Sequence, residues 1–358
     1  MAIYYLCPDF AAPSGGTRVI YGHVDILAKN GLDAYVVHER QNFRCEWFEN
    51  DTPVLGWSRR RAGADYSLRK RAVRFAQRGF RRVSSDRPVL PLLEPPSFGI
   101  GRDDVIVIPE TFGPRLADIA PGVPKVIFNQ NVYFTYFYYP DDPRDLEFPY
   151  QHRDVVATFV ISEDSRRFME YTFPAHRIHR VRWSIDPTRF YFEEPKLPRI
   201  CYMPRRGSDD ATHVLATLAA RKALGDFEIM PISGQSEDDV ASRLRQSLVF
   251  LSLGYHEGLP RPPAEAMACG AIVVGYDGFG GREYLLPNLA YPVPTGDLAE
   301  FARRLEEVLH LYSTQPERLR ERAVRAAAFI AENYGPKREE EDLLAAWDDV
   351  MAGVPRRP

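Results

Sequence analysis

The chain has 358 residues, an apolar fraction of 45% and a net charge of −3 at pH 7. That length accommodates two domains with separate cores, and the charge excludes a general affinity for nucleic acid. The 4 cysteines, Cys7, Cys45, Cys201 and Cys269, form no C-x-x-C pair or Cys/His cluster, so neither zinc nor a disulfide framework is indicated.

No basic stretch followed by a long apolar core stands at the N-terminus, and no run approaches ~20 apolar residues. A cytoplasmic location is therefore expected, with a peripheral position at the inner face of a membrane as the alternative. Ile3–Cys7 is a short apolar run that predicts a strand. Pro13-Ser14-Gly15-Gly16-Thr17 predicts a loop, and the apolar spacing of Val19, Ile20, Val24, Ile26 and Leu27 predicts a helix from Arg18 to Lys29. Gly31 ends that helix and Ala34–Val37 is a second strand. Paired glycines admit a ligand close to the backbone, and they equally make an ordinary tight turn.

Residues 59–82 carry ten Lys/Arg and one acid, Asp65. Such a stretch offers a peripheral membrane contact, at roughly 1 kcal/mol per basic residue near an anionic surface. Its few large apolar residues favour a solvated or acceptor-facing basic surface instead. Asp104–Pro109 and Pro124–Phe128 are further strands. After the second comes Asn129-Gln130-Asn131-Val132-Tyr133, followed by more aromatics. Amides and rings beyond a strand end suit a sugar, since rings stack on apolar sugar faces and amides bond hydroxyls. A lid loop packing its own aromatics gives the same pattern.

Thr158–Ser162 predicts a fifth strand and Glu163–Tyr171 a helix. Pro187–Pro198, with three prolines, reads as an interdomain linker. Ile200–Met203 then opens a second domain and ends on Arg205-Arg206. Adjacent arginines beyond a strand can grip a diphosphate with planar forks of donors, or be a solvated surface. Val214–Leu224 and Glu237–Gln246 predict helices around a strand at Phe227–Ile232.

Residues 248–275 hold the densest information. Leu248–Leu253 is an apolar strand, Tyr255-His256-Glu257-Gly258-Leu259 a loop, and Pro262 and Pro263 open a helix that Gly270 stops. Ala271–Gly275 is the next strand. Such β-loop-α-β units bind ligands at the carboxyl ends of their strands. Glu257 and Glu265, with seven residues between them, lie at that end. Two carboxylates there suit the vicinal hydroxyls of a ribose or a sugar, while a helix start suits a diphosphate. A solvated loop acid plus a helix-stabilising acid worth ~0.3–1 kcal/mol explains the pair as well. Beyond this unit, Ala299–Leu311, Arg318–Asn333 and Lys337–Met351 predict three helices.

Glu257-Gly258-Leu259-Pro260…Glu265-Ala266-Met267-Ala268-Cys269-Gly270 resembles the E-x7-E signature of retaining GT-B glycosyltransferases, and is most similar to glycosyltransferase family 4, whose members usually read E-G-F-G-x-P-x-x-E-A-M-A-x-G. The departure is Pro260 in place of glycine. The family holds donor phosphates with amides of this loop, and Pro260 has no N–H, whereas Leu259 and Arg261 do. Val160–Glu163 with Val181–Asp186, Gly280-Gly281-Arg282-Glu283, and Thr295-Gly296-Asp297-Leu298 resemble further family segments.

The resemblance implies two Rossmann-like α/β domains facing across a cleft: an acceptor-side domain over 1–190, a nucleotide-sugar donor domain over 191–335, and a last helix within 336–358 returning to the first. It implies a retaining transfer of sugar from a nucleoside-diphosphate donor to a carbohydrate, lipid-linked or small-molecule acceptor. Glu257, Arg205 and Arg206 take the catalytic places. Gly15, Gly16, Gly258, Leu259, Arg261 and Glu265 take donor-binding ones. Many relatives have a histidine after the strand that ends here at Phe128; this chain offers Asn129 and Asn131 as acceptor-side candidates. No Asp-x-Asp clamp is present, so no metal and no cofactor are expected. An epimerase of nucleotide-sugars on the same fold, a glycoside hydrolase using the two acids, and a non-catalytic nucleotide-sugar-binding protein are the alternatives.

Overall fold

A computed structural model describes residues 1–58, 99–136, 139–140, 142–144 and 146–354. The basic stretch 59–82, with Phe137 and Tyr138, lies outside the described residues. Two all-parallel sheets organise the chain.

The first sheet contains β1 (Ile3–Cys7), β2 (Ala34–Arg40), β3 (Val54–Ser58), β4 (Val105–Pro109), β5 (Lys125–Asn129), β6 (Val155–Val160) and β7 (Ile178–Arg180), in the order β3-β2-β1-β4-β5-β6-β7. Tyr4 lies in register with Tyr35 on one side and Ile106 on the other. Its central strands are apolar on both faces, as expected of strands covered by helices on both sides. Helices α1 (Gly15–Lys29) and α2 (Glu163–Thr172) belong to this half. Val19, Ile20, Val24 and Leu27 of α1 turn inward at helical spacing. The Ser162 hydroxyl caps α2 by accepting from the Ser165 amide.

The second sheet contains β8 (Leu197–Tyr202), β9 (Glu228–Pro231), β10 (Ser247–Ser252), β11 (Ile272–Tyr276) and β12 (Tyr291–Val293), in the order β12-β11-β10-β8-β9. Around it pack α3 (Ser208–Ala220), α4 (Glu237–Gln246), α5 (Arg261–Ala268), α6 (Leu298–Thr314) and α7 (Pro316–Asn333). Acids fill the first turn of α4 and Arg243 and Arg245 its last, matching the helix dipole at both ends.

Helix α8 (Pro336–Gly353) leaves the second half and lies against β6, β7 and α1 of the first. Trp347, fully buried, donates through Nε1 to the Tyr5 hydroxyl at 3.1 Å, and Arg182 forks onto Asp342 at 2.6 and 2.8 Å. One apolar cluster therefore runs from β1 and α1 through Trp183 and Trp347 to Met267 and Tyr284 beside α5.

Several boundaries differ from the sequence expectations. Helix α1 begins at Gly15, so the glycine pair forms its first turn and not a preceding loop. Helix α3 starts at Ser208, before Val214, because its opening residues Ser208, Asp209 and Asp210 are polar cap-type residues outside the apolar period. Leu197, placed in the linker by its flanking prolines, already pairs with Ser247 in the second sheet. Strands β3, β7 and β12 are short and carry no alternation of their own.

Candidate active site

The segments that follow β1 and β5 in the first half meet the segment that follows β10 in the second, at Gly15 against Arg261, Gly258 against Gln130 and Asn131 against His256. On the second side, the turn after β8 carries Arg205 and Arg206. The backbone continues through Gly207 at φ +75°, a left-handed conformation that suits glycine, and an added Cβ there would stand 2.8 Å from the Leu253 carbonyl oxygen. The turn is thereby pressed onto the end of β10. Arg206 Nη1 lies 2.6 Å from Glu257 Oε1 and donates to the His256 carbonyl at 3.3 Å. Arg205 is exposed and makes no hydrogen bond or ion pair with the described residues.

Glu257 sits in the loop after β10. Its amide donates to the Gly278 carbonyl at 2.8 Å, and its own carbonyl accepts from the Gly280 amide at 3.2 Å. Its side chain is 22% exposed, in a recess where desolvation raises the carboxyl above its ordinary value while Arg206 and Arg205 oppose that rise.

Glu265 stands on the second turn of α5, 9% exposed, with its carboxyl also raised by burial and countered by Arg261. Arg261 Nε lies 3.4 Å from Glu265 Oε1. Its Nη2 donates to the Ser184 carbonyl at 3.2 Å, and the guanidinium lies over the Trp183 ring. Pro260, Pro262 and Pro263 supply no N–H, so between residues 259 and 263 only Leu259 and Arg261 have an amide donor. The Pro260 carbonyl is engaged by the Tyr284 hydroxyl at 2.5 Å and the Leu259 carbonyl by Trp183 Nε1 at 3.3 Å.

The first domain meets this unit at two places. Gly15, opening α1, faces the Arg261 side chain: an added Cβ would stand 3.5 Å from its Cδ. The helix start has no side-chain cap on Ser14 and no acid in its first turn, leaving its positive dipole end uncompensated. Gly258 abuts the segment after β5, where an added Cβ would fall 2.2 Å from the Gln130 carbonyl oxygen. Only glycine permits that approach. The structure thus gathers Gly15, Gly258, Leu259, Arg261, Glu265, Glu257 and Arg206 around one line of contact, with Gly16 behind it.

The two amide candidates part company. Asn129 is fully buried, and its Nδ2 donates to Thr135 Oγ1 at 2.7 Å and to the Tyr150 hydroxyl at 2.9 Å. It closes a turn inside the first domain, its Oδ1 buried without a hydrogen-bond partner, and residues distant in sequence fold over it, so its side chain is not exposed on the acceptor side as the sequence led one to expect. Asn131 caps the short turn Val132–Phe134 through the Tyr133 amide at 3.1 Å and reaches the His256 carbonyl at 3.4 Å. It joins the halves.

Three further polar residues lie near the seam: Gln130 and Glu283, from segments that the sequence singles out without a role for either, and Glu110, which it does not single out. Gln130 donates through Nε2 to the Gly16 carbonyl at 3.2 Å. Glu110, directly after β4, accepts the Gln130 amide at 3.1 Å; burial pushes its carboxyl up to about 7. Glu283 ties the halves together, accepting from the Glu163 amide at 2.7 Å, Arg180 Nη2 at 2.6 Å and the Tyr334 hydroxyl at 2.5 Å. Its place at the end of Gly280-Gly281-Arg282-Glu283 was the available signal.

Residues 215–326 match the family of glycosyl transferases group 1. No curated protein sequence matches the chain. Among solved structures, sucrose-phosphate synthase from Thermosynechococcus elongatus superposes with a TM-score of 0.67 at 12% identity, over 98% of this chain and 99% of that one. Alr3699/HepE from Anabaena in complex with UDP-glucose gives 0.60 at 12% identity, over 98% and 100%. WaaG, a glycosyltransferase involved in lipopolysaccharide biosynthesis, gives 0.58 at 14%, over 98% and 100%. At these identities the structural likeness establishes the fold, which is GT-B. The family match contains the whole β10–loop–α5 unit and supports glycosyl transfer as the class of chemistry. Among the described residues no helix is long and apolar enough to cross a membrane.

Proposed function

We propose that this GT-B chain, with its group 1 glycosyl-transfer segment, moves a sugar from a nucleoside-diphosphate sugar to a hydroxyl of a carbohydrate, lipid-linked or small-molecule acceptor, with retention at the anomeric carbon. The bond from that carbon to the phosphate oxygen breaks, and a bond to the acceptor oxygen forms on the same face. The acceptor proton passes to the departing diphosphate. Charge separates in the transition state, so cationic and dipolar groups near the diphosphate lower the barrier. Arg205, Arg261 and the uncompensated start of α1 at Gly15 and Gly16 suit that role. Glu257 suits the hydroxyls of the donor sugar and its cation-like ring, and Glu265 those of the ribose.

The observation carrying this reading is the pair of desolvated acids on one β-loop-α unit, Glu257 against Arg206 and Glu265 against Arg261, at the seam between two Rossmann-like halves. The Anabaena neighbour with UDP-glucose supports a nucleotide-sugar as the donor class. With arginines opposite the diphosphate, the reaction is proposed to need neither metal nor cofactor, so excess chelator should leave the rate unchanged.

The test is a thermal-shift panel of UDP, GDP and ADP with their glucose conjugates. A ligand held at a hundred times its dissociation constant stabilises the fold by about 2.7 kcal/mol. A second arm follows acceptor-dependent release of the nucleoside diphosphate. A flat panel would sink the proposal. Binding without release against any acceptor would favour the non-catalytic alternative, to which Pro260, in place of the family's glycine, lends weight. Interconversion of the donor without acceptor would reveal an epimerase.

A further inference from the structure

Arg205 and Arg206 are neighbours in sequence, yet their surroundings are opposite. Arg205 is exposed, close enough to Glu257 to lower its carboxyl electrostatically but bonded to none of the described residues. Arg206 spends one nitrogen, Nη1, on both the Glu257 carboxylate at 2.6 Å and the His256 carbonyl at 3.3 Å, so the guanidinium is fastened to the loop that carries Glu257. The backbone beneath it is fixed too, through the Gly207–Leu253 contact at the end of β10.

Glu257 has little else to orient it. An added Cβ on Gly254 would stand 3.1 Å from its Oε1, and one on Gly278 3.1 Å from its Cβ, so both walls of the recess are bare backbone. The charged and titratable groups around it are Arg206 and Arg205 from the turn after β8, His256 on its own loop, and Tyr284 from the segment after β11. Among these, only Arg206 makes an ion pair with the carboxylate. With Oε1 engaged, Oε2 is left for a ligand.

We infer that Arg206 serves the reaction through Glu257, as a positioning residue that aims the carboxylate, and that Arg205 alone of the pair addresses the diphosphate. This rests on the glycosyl-transfer reading above and divides a role that the adjacent arginines were expected to share. A guanidinium already committed to a carboxylate gains less from a phosphate, since it must give up one charge-assisted bond to make another. An arginine in the open gains the whole of it.

The experiment compares Arg205→Ala, Arg206→Ala, Arg206→Lys, Glu257→Gln and the double variant Arg206→Ala/Glu257→Gln. Calorimetry with UDP, GDP and ADP reads the diphosphate contact without a sugar present. Arg205→Ala should lose tenfold or more in affinity for whichever of these binds, about the worth of one charge-assisted hydrogen bond. Arg206→Ala should stay within about twofold of the wild type. Turnover of the corresponding sugar nucleotide reads the other half. Arg206→Ala should lower kcat about as far as Glu257→Gln does, about 10²–10³-fold, and the double variant should fall no further than Glu257→Gln alone. Loss of the guanidinium lets the desolvated carboxyl rise, so the acidic limb of the kcat profile should move to higher pH in Arg206→Ala and return part of the way in Arg206→Lys.

A merely structural arginine would move the melting temperature and leave that limb where it is. Equal loss of diphosphate affinity in Arg205→Ala and Arg206→Ala, or a double variant whose kcat falls by the product of the single losses, overturns the inference while leaving glycosyl transfer standing. A wild-type chain that binds none of the three nucleoside diphosphates overturns both.

Discussion

On the first domain's side of the cleft, Glu110, Asn129, Gln130 and Asn131 each bond to a backbone group or a buried hydroxyl, and none of them makes an ion pair with the described residues. On the second domain's side, Glu257 and Glu265 are desolvated carboxylates, each held by a single arginine at the edge of the cleft. Buried polar groups that satisfy each other make a rigid wall. Desolvated charges with one partner each retain capacity for another, and a ligand's hydroxyls or phosphates can supply it. The contrast assigns the charged side chains that meet a ligand to the second half, while the first contributes the backbone start of α1 and a shaped wall.

The largest effect that would break this contrast belongs to Glu257. Replacing it with glutamine keeps the volume and removes the charge facing the donor sugar. A fall in kcat of about 10²–10³ is expected, the scale of losing one preorganised electrostatic group. Steady-state release of nucleoside diphosphate measures it, and an unchanged kcat would return Glu257 to the status of a loop acid. Glu265→Ala comes next. Hydrogen bonds to a charged group are worth about 1.5–3 kcal/mol, so affinity for the bare nucleoside diphosphate should drop about 10- to 100-fold. Isothermal titration reads this directly.

The unit that carries both acids was the most legible part of the sequence. The apolar run from Leu248 became β10, the proline pair opened α5, and Gly270 followed its end, because each of these signals is local. Long-range pairings were not legible. Nothing in the spacing of Arg206 and Glu257, fifty-one positions apart, announces that they meet. Glu110 looks like any acid after an apolar strand until the order β1-β4-β5 brings it under Gln130. Asn129 had the right chemistry in the right place along the chain, but Thr135 and Tyr150 close over it. Amide content after a strand reports a polar turn, and burial decides whether that turn is a surface.

Gly258→Ala sharpens the contrast from the seam itself. A methyl there would lie 2.2 Å from the Gln130 carbonyl, and the neighbour is backbone, which cannot swing aside. Overpacking of this kind costs about 1–3 kcal/mol. The halves should be forced apart locally, lowering the melting temperature and the kcat together. Nucleoside-diphosphate affinity should suffer less, because Glu265 and Arg261 remain on their own helix. Equal loss of affinity and kcat would mean that the segment after β5, and not only the start of α1, helps to hold the nucleotide.

The smallest effect tests whether that wall is as insulated as its hydrogen bonds imply. Burial pushes the Glu110 carboxyl from its ordinary 4.5 up to about 7. The folded chain therefore holds this proton over a range in which the unfolded chain has released it. The stability linked to the group is fully present below about pH 4.5 and is lost as pH rises towards 7, at about 1 kcal/mol per pH unit in between. Glu110→Gln keeps an oxygen that can accept from the Gln130 amide and has no proton to lose. Its stability relative to the wild type should climb by about that amount between pH 5 and pH 6, measured by urea unfolding at each pH so that every other titrating group cancels in the difference. A parallel pair of curves would mean that water reaches this carboxylate. The first domain's side of the cleft would then be open to ligands in the way that the second already is.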